Sequence, residues 1–186
     1  MDQFEYLAVL ISIILGLGIT QLLSGFGRWL EQRSAFRAYA PSILWATILL
    51  VLHVQTWWSM FGMRHQAHWT FLQFGVVLLQ PIILFLLATL VLPGPNAPQP
   101  DLRSNYFAQR NWFFGLLALL LLVSVIKDVV VGGALPAPDN LAFHGVFFVG
   151  AVGAIISGHE TYHRTMAWVS GGLIATYIFL LFAELR

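Results

Sequence analysis

His159-Glu160-Thr161-Tyr162-His163 is the one stretch of this chain that reads as a catalytic motif. In H-E-x-x-H on a helix, the two histidines lie four residues apart on one face and can share a zinc ion. The glutamate can then act as general base on the metal-bound water. Such a site needs a third protein ligand, and Glu31 and Asp101 are the acids expected on the same side of the membrane. The other reading is a polar turn whose histidines and Arg164 meet water or lipid headgroups.

The five residues resemble the zinc motif of site-2-type intramembrane metalloproteases. The Leu-Asp-Gly motif of a later span in that family has no counterpart here, where Glu184 is the one acid that follows. His65-x-x-His68 together with His159-x-x-x-His163 is similar to the histidine boxes of membrane di-iron hydroxylases and desaturases. Those enzymes need more than the six histidines present, and the two pairs are expected on opposite sides of the bilayer. P-loop, Gly-rich nucleotide and G-x-S-x-G signatures are absent. Zinc at His159 and His163, with Glu160 as base, is the one cofactor chemistry the sequence offers; no other cofactor is expected.

A second group of residues draws notice by its depth. Ionisable side chains inside a membrane span are costly, and each is a candidate site by default. At about 1.5 Å per residue, Glu5, Gln73, Lys127, Asp128 and His144 all fall within about two helical turns of one surface. They form a candidate pocket for a ligand or proton, open to that side. Lys127 and Asp128 are sequence neighbours and point about 100° apart on a helix, so each is expected to need a partner from another span. Glu5 suits Lys127, and His144 suits Asp128. In the alternative, Lys127 snorkels to the interface and the others are solvated helix ends.

Deeper still, His53 (with Gln55 nearby) sits at the centre of one hydrophobic stretch and Gln80 at the centre of the next. A His53–Gln80 hydrogen bond would satisfy both; a midplane proton- or solute-binding step is the functional reading. Haem ligation by His53 would need a second histidine at that depth, and none is expected.

The elements that must position these residues are membrane helices. Of 186 residues, 59% are hydrophobic and 9% charged, and the mean hydropathy is +0.79. Soluble domains carry about 25% charged residues, so an ordinary soluble enzyme, a disordered chain and a nucleic-acid module are excluded. A net charge of +1 offers no field for polyanions. The absence of cysteine removes disulfides, thiolate metal sites and cysteine nucleophiles.

Crossing hydrocarbon takes about 20 apolar residues. Six stretches qualify: 5–23, 43–62, 70–92, 111–131, 140–157 and 166–182. The expectation is one all-α transmembrane domain of six helices over 1–186. Arg28, Arg33, Arg37, Arg103, Arg110 and Arg164 fall on one side, against Arg64, Lys127 and Arg186 on the other. The arginine-rich side should face the cytoplasm, which leaves both termini outside. Tyr6, Trp57, Trp58 and Trp69 then mark the outer interface, and Trp29, Trp45, Trp112, Tyr162 and Trp168 the inner one. The first stretch lacks a basic n-region and a cleavage site, so it reads as a span and not as a signal peptide. A plasma membrane, bacterial inner membrane by this reading, is the expected location, with the lipid bilayer as partner and no nucleic acid.

A Pro-rich linker over 93–100 divides the spans three and three. His53/His68 and His144/His159 share a spacing of fifteen, which hints at a 3+3 pseudo-repeat of the kind transporters use. Residues 26–40 mix aromatic and basic side chains and suit a short helix on the inner leaflet. Small residues recur at Ser12, Gly16, Thr20 and Ser24, at Gly150, Ala154 and Gly158, and at Gly171 and Ala175. Such faces let helices approach and permit self-association. Pro81, after Gln80, should remove one helical hydrogen bond and kink its helix. Three functions fit: a small transporter, channel or solute-binding protein with a polar site among the helices; a non-catalytic scaffold or complex subunit; or a membrane zinc hydrolase.

Overall fold

The computed structural model describes residues 3–31, 37–64, 66, 68–94 and 101–181, with side chains through Thr176. Arg33, His65, Glu184, Arg186, linker residues 95–100 and the two chain ends lie outside the described residues. Those described form α1 (Gln3–Glu31), α2 (Ala40–Met60) with a 3-10 turn (Phe61–Met63), α3 (Phe71–Val91), α4 (Leu102–Gly132), α5 (Pro138–Ile156) and α6 (Glu160–Leu181). Among them there is no strand beyond a single isolated bridge between Arg37 and Asp101. Five helices, α1 to α5, are long and apolar enough to cross a membrane. The sixth covers the last expected span but begins at Glu160.

Capping residues explain why two helices outrun their apolar stretches. Asp101 Oδ1 accepts from the backbone N–H groups of Arg103 (2.9 Å) and Ser104 (3.2 Å), so α4 starts nine residues before the expected 111. Its 31 residues span about 46 Å, well beyond the roughly 30 Å of hydrocarbon. It stops at Gly133, whose φ of 71° lies in the left-handed region and whose N–H returns to Val129 O. α1 likewise continues to Glu31. Phe26, Trp29 and Leu30 are therefore its last turns, so residues 26–31 of the surface helix expected at 26–40 continue α1 instead; residues 32–36 lie outside the described residues. α3 opens on a reciprocal Thr70–Gln73 capping box and runs unbroken through the buried Pro81.

α1 packs on α3 and α2, α3 on α4, α4 on α5, and α2 on α6. The buried stripe of α1 is Ile11, Leu15, Gly18, Leu22 and Gly25. The expected small-residue face is a different one: Gly16, Thr20 and Ser24 are exposed, and nothing comes near a side chain added at Gly16. On α5 and in the turn just after it the small residues do admit neighbours. Gly150 lies under the Met166 methyl, Ala154 is fully buried, and Gly158 lies under the Arg110 guanidinium. Gly171 on α6 meets Leu44 of α2, whereas Ala175 is exposed. The two halves also pack differently. α1 lies along α3, but α4 and α6 meet chiefly through side chains at one end, so the packing does not follow a 3+3 repeat.

Three connections gather at one end of the bundle. Leu102 N–H donates to Arg37 O, Ser42 Oγ to Leu102 O and Arg28 to Pro93 O, while Arg103 and Arg164 bind Glu160. The opposite end joins Trp69 N–H to Gln3 and Gln73 to Val130 O. This sorting is what alternate up-and-down threading requires. Trp57, Trp112 and Trp168 are exposed, as interface aromatics should be. Trp45 is not: it is buried, edge-on to Phe113 and Phe114. Tyr162 also turns inward, donating to Gly150 O at 2.9 Å.

Candidate functional site: a cavity among five helices

A cavity of about 710 Å³ lies between α2, α3, α4, α5 and α6, beneath the 133–137 connection and away from the arginine-bearing end. That volume falls in the range of small-molecule sites, roughly 300–1,000 Å³. α4 supplies its wall through positions 117, 120, 121, 124, 127, 128 and 131, the three-and-four spacing of one helix face. Lys127, Asp128, Asn140 and His144 stand near the mouth, with Gln66 from the turn after α2. Gln55, Thr56, Ser59, Gln80 and Ser124 form a neutral polar belt below them. The floor is apolar: Trp45, Leu84, Leu117, Leu120 and Ile174. Leu117 lies 15 residues from the end of α4 at Gly132, a depth of about 22 Å. α5 and α6 touch near their shared turn, through Tyr162 and Met166. Farther along, Phe143, Phe147 and Ile174 face the same cavity.

The structure divides the expected polar cluster. Lys127, Asp128 and His144 share this cavity, and Glu5 and Gln73 do not line it; of the deeper pair, Gln80 lines it and His53 does not. Lys127 Nζ approaches Asp128 Oδ1 at 3.7 Å. The neighbours therefore do pair, and neither Glu5 nor His144 is needed as the expected partner. The angular argument failed because a lysine stem is long enough to fold across the intervening arc. At 3.7 Å the contact is an ion pair beyond hydrogen-bond range. His144 Nδ1 lies 2.9 Å from Asn140 O. Since a carbonyl can only accept, Nδ1 carries the proton and Nε2 of the neutral ring presents a lone pair. Gln73 instead caps α3 and donates to Val130 O. Glu5 is exposed near the start of α1.

His53 does not bond Gln80. Its Nδ1 donates to Leu49 O one turn back, at 2.7 Å, and its fully buried ring packs on α1 at Gly18. Nε2 has no hydrogen-bond partner there. Asn140, Gln66, Thr56, Ser59 and Ser124 were missed by sequence reasoning. Gln55/Ser59 and Ser124/Asp128, each four apart, were the signal that could have found them.

The H-E-x-x-H residues take other roles. α6 starts at Glu160, so His159 lies outside the helix and is exposed. The expected shared helical face does not form. His163 is fully buried against Tyr106, Phe107, Phe114 and Tyr162. Its Nε2–H donates to Ser157 O at 2.9 Å, and Tyr106 O–H donates to Nδ1 at 2.9 Å. With both ring nitrogens engaged, no lone pair is left for a metal. Among the described residues no three His, Asp or Glu converge as metal ligands. Glu160 Oε2 accepts from Arg103 Nε (3.0 Å) and Nη2 (2.9 Å), and Oε1 pairs with Arg164 at 3.0 Å. The Arg103 hydrogen bonds first, then the charges of both arginines, hold its carboxyl below the usual range. That makes Glu160 a weaker base.

Comparison with known protein families, with curated proteins and with solved structures found no match to this chain. The fold by itself defines an all-helical protein with several apolar helices compatible with a multi-pass membrane protein.

Proposed function

We propose that this chain crosses a plasma membrane six times and binds a small solute in the cavity between α2, α3, α4, α5 and α6. It acts as a small transporter or solute-binding protein. The observation that carries the reading is an ion pair, a histidine and a polar belt collected around one cavity within apolar helices. Lipid hydrocarbon offers such groups no partners, so at this depth they are sustained by water or a ligand. Arg28, Arg37, Arg103, Arg110 and Arg164 all engage the connections at the other end. By the positive-inside rule that end faces the cytoplasm, and the mouth and both termini face out.

Self-association remains the second reading, favoured by the outward-facing Gly16, Thr20 and Ser24 on α1. A membrane zinc hydrolase is not taken further, because His163 already spends both nitrogens.

Native mass spectrometry of the purified protein tests the cavity. The wild type is expected to retain a low-mass species that Ser124→Trp, which fills the polar belt, does not. Identical spectra for the two proteins would contradict the reading.

A further inference from the structure

We infer that the solute is a small zwitterion, a primary ammonium beside an anionic group, carried on an apolar body; this rests on the cavity reading above. Three side chains set the polarity of the mouth, beside the amides of Asn140 and Gln66, which both donate and accept. Protonated Lys127 can only donate; the Asp128 carboxylate can only accept, and so can Nε2 of His144 in the neutral form of the ring. An ammonium with its three N–H donors matches the two acceptors, and an anion matches the lysine.

Electrostatics selects the same class. The Lys127–Asp128 pair is neutral as a unit, and adding net charge to a low-dielectric site is expensive. A lone cation or anion would leave one wall charge unbalanced. A zwitterion leaves the site neutral. It also replaces one loose 3.7 Å contact with two short charge-assisted hydrogen bonds. The apolar body then points inward, past Ser124 to the floor at Trp45, Leu117 and Leu120. Free apolar amino acids carry this head chemistry, and so does the headgroup of phosphatidylethanolamine.

Calorimetric titration of the detergent-solubilised full chain tests the inference. The probes are L-leucine, L-phenylalanine, N-acetyl-L-leucine, L-leucinamide and sn-glycero-3-phosphoethanolamine. Leucine and phenylalanine should bind saturably. Removing the ammonium (N-acetyl-leucine) or the carboxylate (leucinamide) should weaken binding more than about tenfold. Asp128→Asn and Lys127→Gln should each weaken leucine binding by a similar factor. The analogue series uses the unmutated chain, so it does not depend on how the variants fold. Tighter binding of sn-glycero-3-phosphoethanolamine, a net-neutral phosphodiester zwitterion, than of leucine supports the zwitterion and assigns its source to a lipid headgroup. Equal binding of leucine and N-acetyl-leucine overturns the inference, as does a lack of saturable binding by every zwitterion. If a low-mass species is nonetheless retained by wild type and lost in Ser124→Trp, the cavity stands and only the zwitterion falls.

Discussion

His163→Ala is expected to destabilise the protein by about 3 kcal/mol or more, while His159→Ala leaves stability unchanged. Two effects add at His163. Truncating a fully buried ring opens a void among Tyr106, Phe107, Phe114 and Tyr162, and large-to-alanine changes of this kind cost roughly 3–5 kcal/mol. It also strips the Tyr106 hydroxyl of its acceptor, at about 1–3 kcal/mol for a buried orphan. Ser157 O loses less, because Arg110 also donates to it. His159 is exposed and precedes the helix, so its truncation removes little. Thermal unfolding of the two variants in the same detergent measures the difference. A zinc-sharing pair would make the substitutions alike and couple both to metal content; this account makes them unlike.

The second large effect is expected at the crossing of α1 and α2. A methyl group at Gly18 would lie 2.8 Å from Cδ2 of His53 and closer still to Nε2. The ring has nowhere to retreat, being fully buried and tied to Leu49 O. Gly18→Ala should therefore cost about 1–3 kcal/mol through overpacking. Gly16→Ala, two residues away on an open face, should be neutral or mildly stabilising, since alanine favours helix over glycine. In the Gly18→Ala/His53→Ala double variant the clash is gone, so the two losses should sum to less than their separate values. Strict additivity in unfolding measurements would mean that the two residues do not touch.

Hydropathy and the alternation of charged connections were enough to read the helices from the sequence, because both follow from the bilayer's demand for satisfied backbone groups. The helix ends were less legible. Asp101 and Gly133 set the limits of α4 through capping and left-handed backbone, features that an average over twenty residues smooths away. Depth arithmetic grouped Lys127, Asp128 and His144, which do line one cavity; Gln80, expected deeper beside His53, lines it as well. It placed Glu5 and Gln73 with them, and His53 beside Gln80, yet none of the three lines the cavity, because depth says nothing about azimuth. Gln73 and Lys127 belong to adjacent helices at similar depth, yet one caps a helix and the other lines the cavity. The H-E-x-x-H string misled for a related reason. Its helix starts one residue too late to place both histidines on one face.

The most direct test of the account uses the absence of native cysteine. Single-cysteine variants at Ser124, in the polar belt, and at Ser104, exposed near the arginine-bearing end, are treated in intact cells with a membrane-impermeant maleimide. The account predicts labelling at 124 from outside and none at 104 until the membrane is permeabilised. Labelling at 104 from outside, or a position 124 that stays unreactive on both sides, would contradict it.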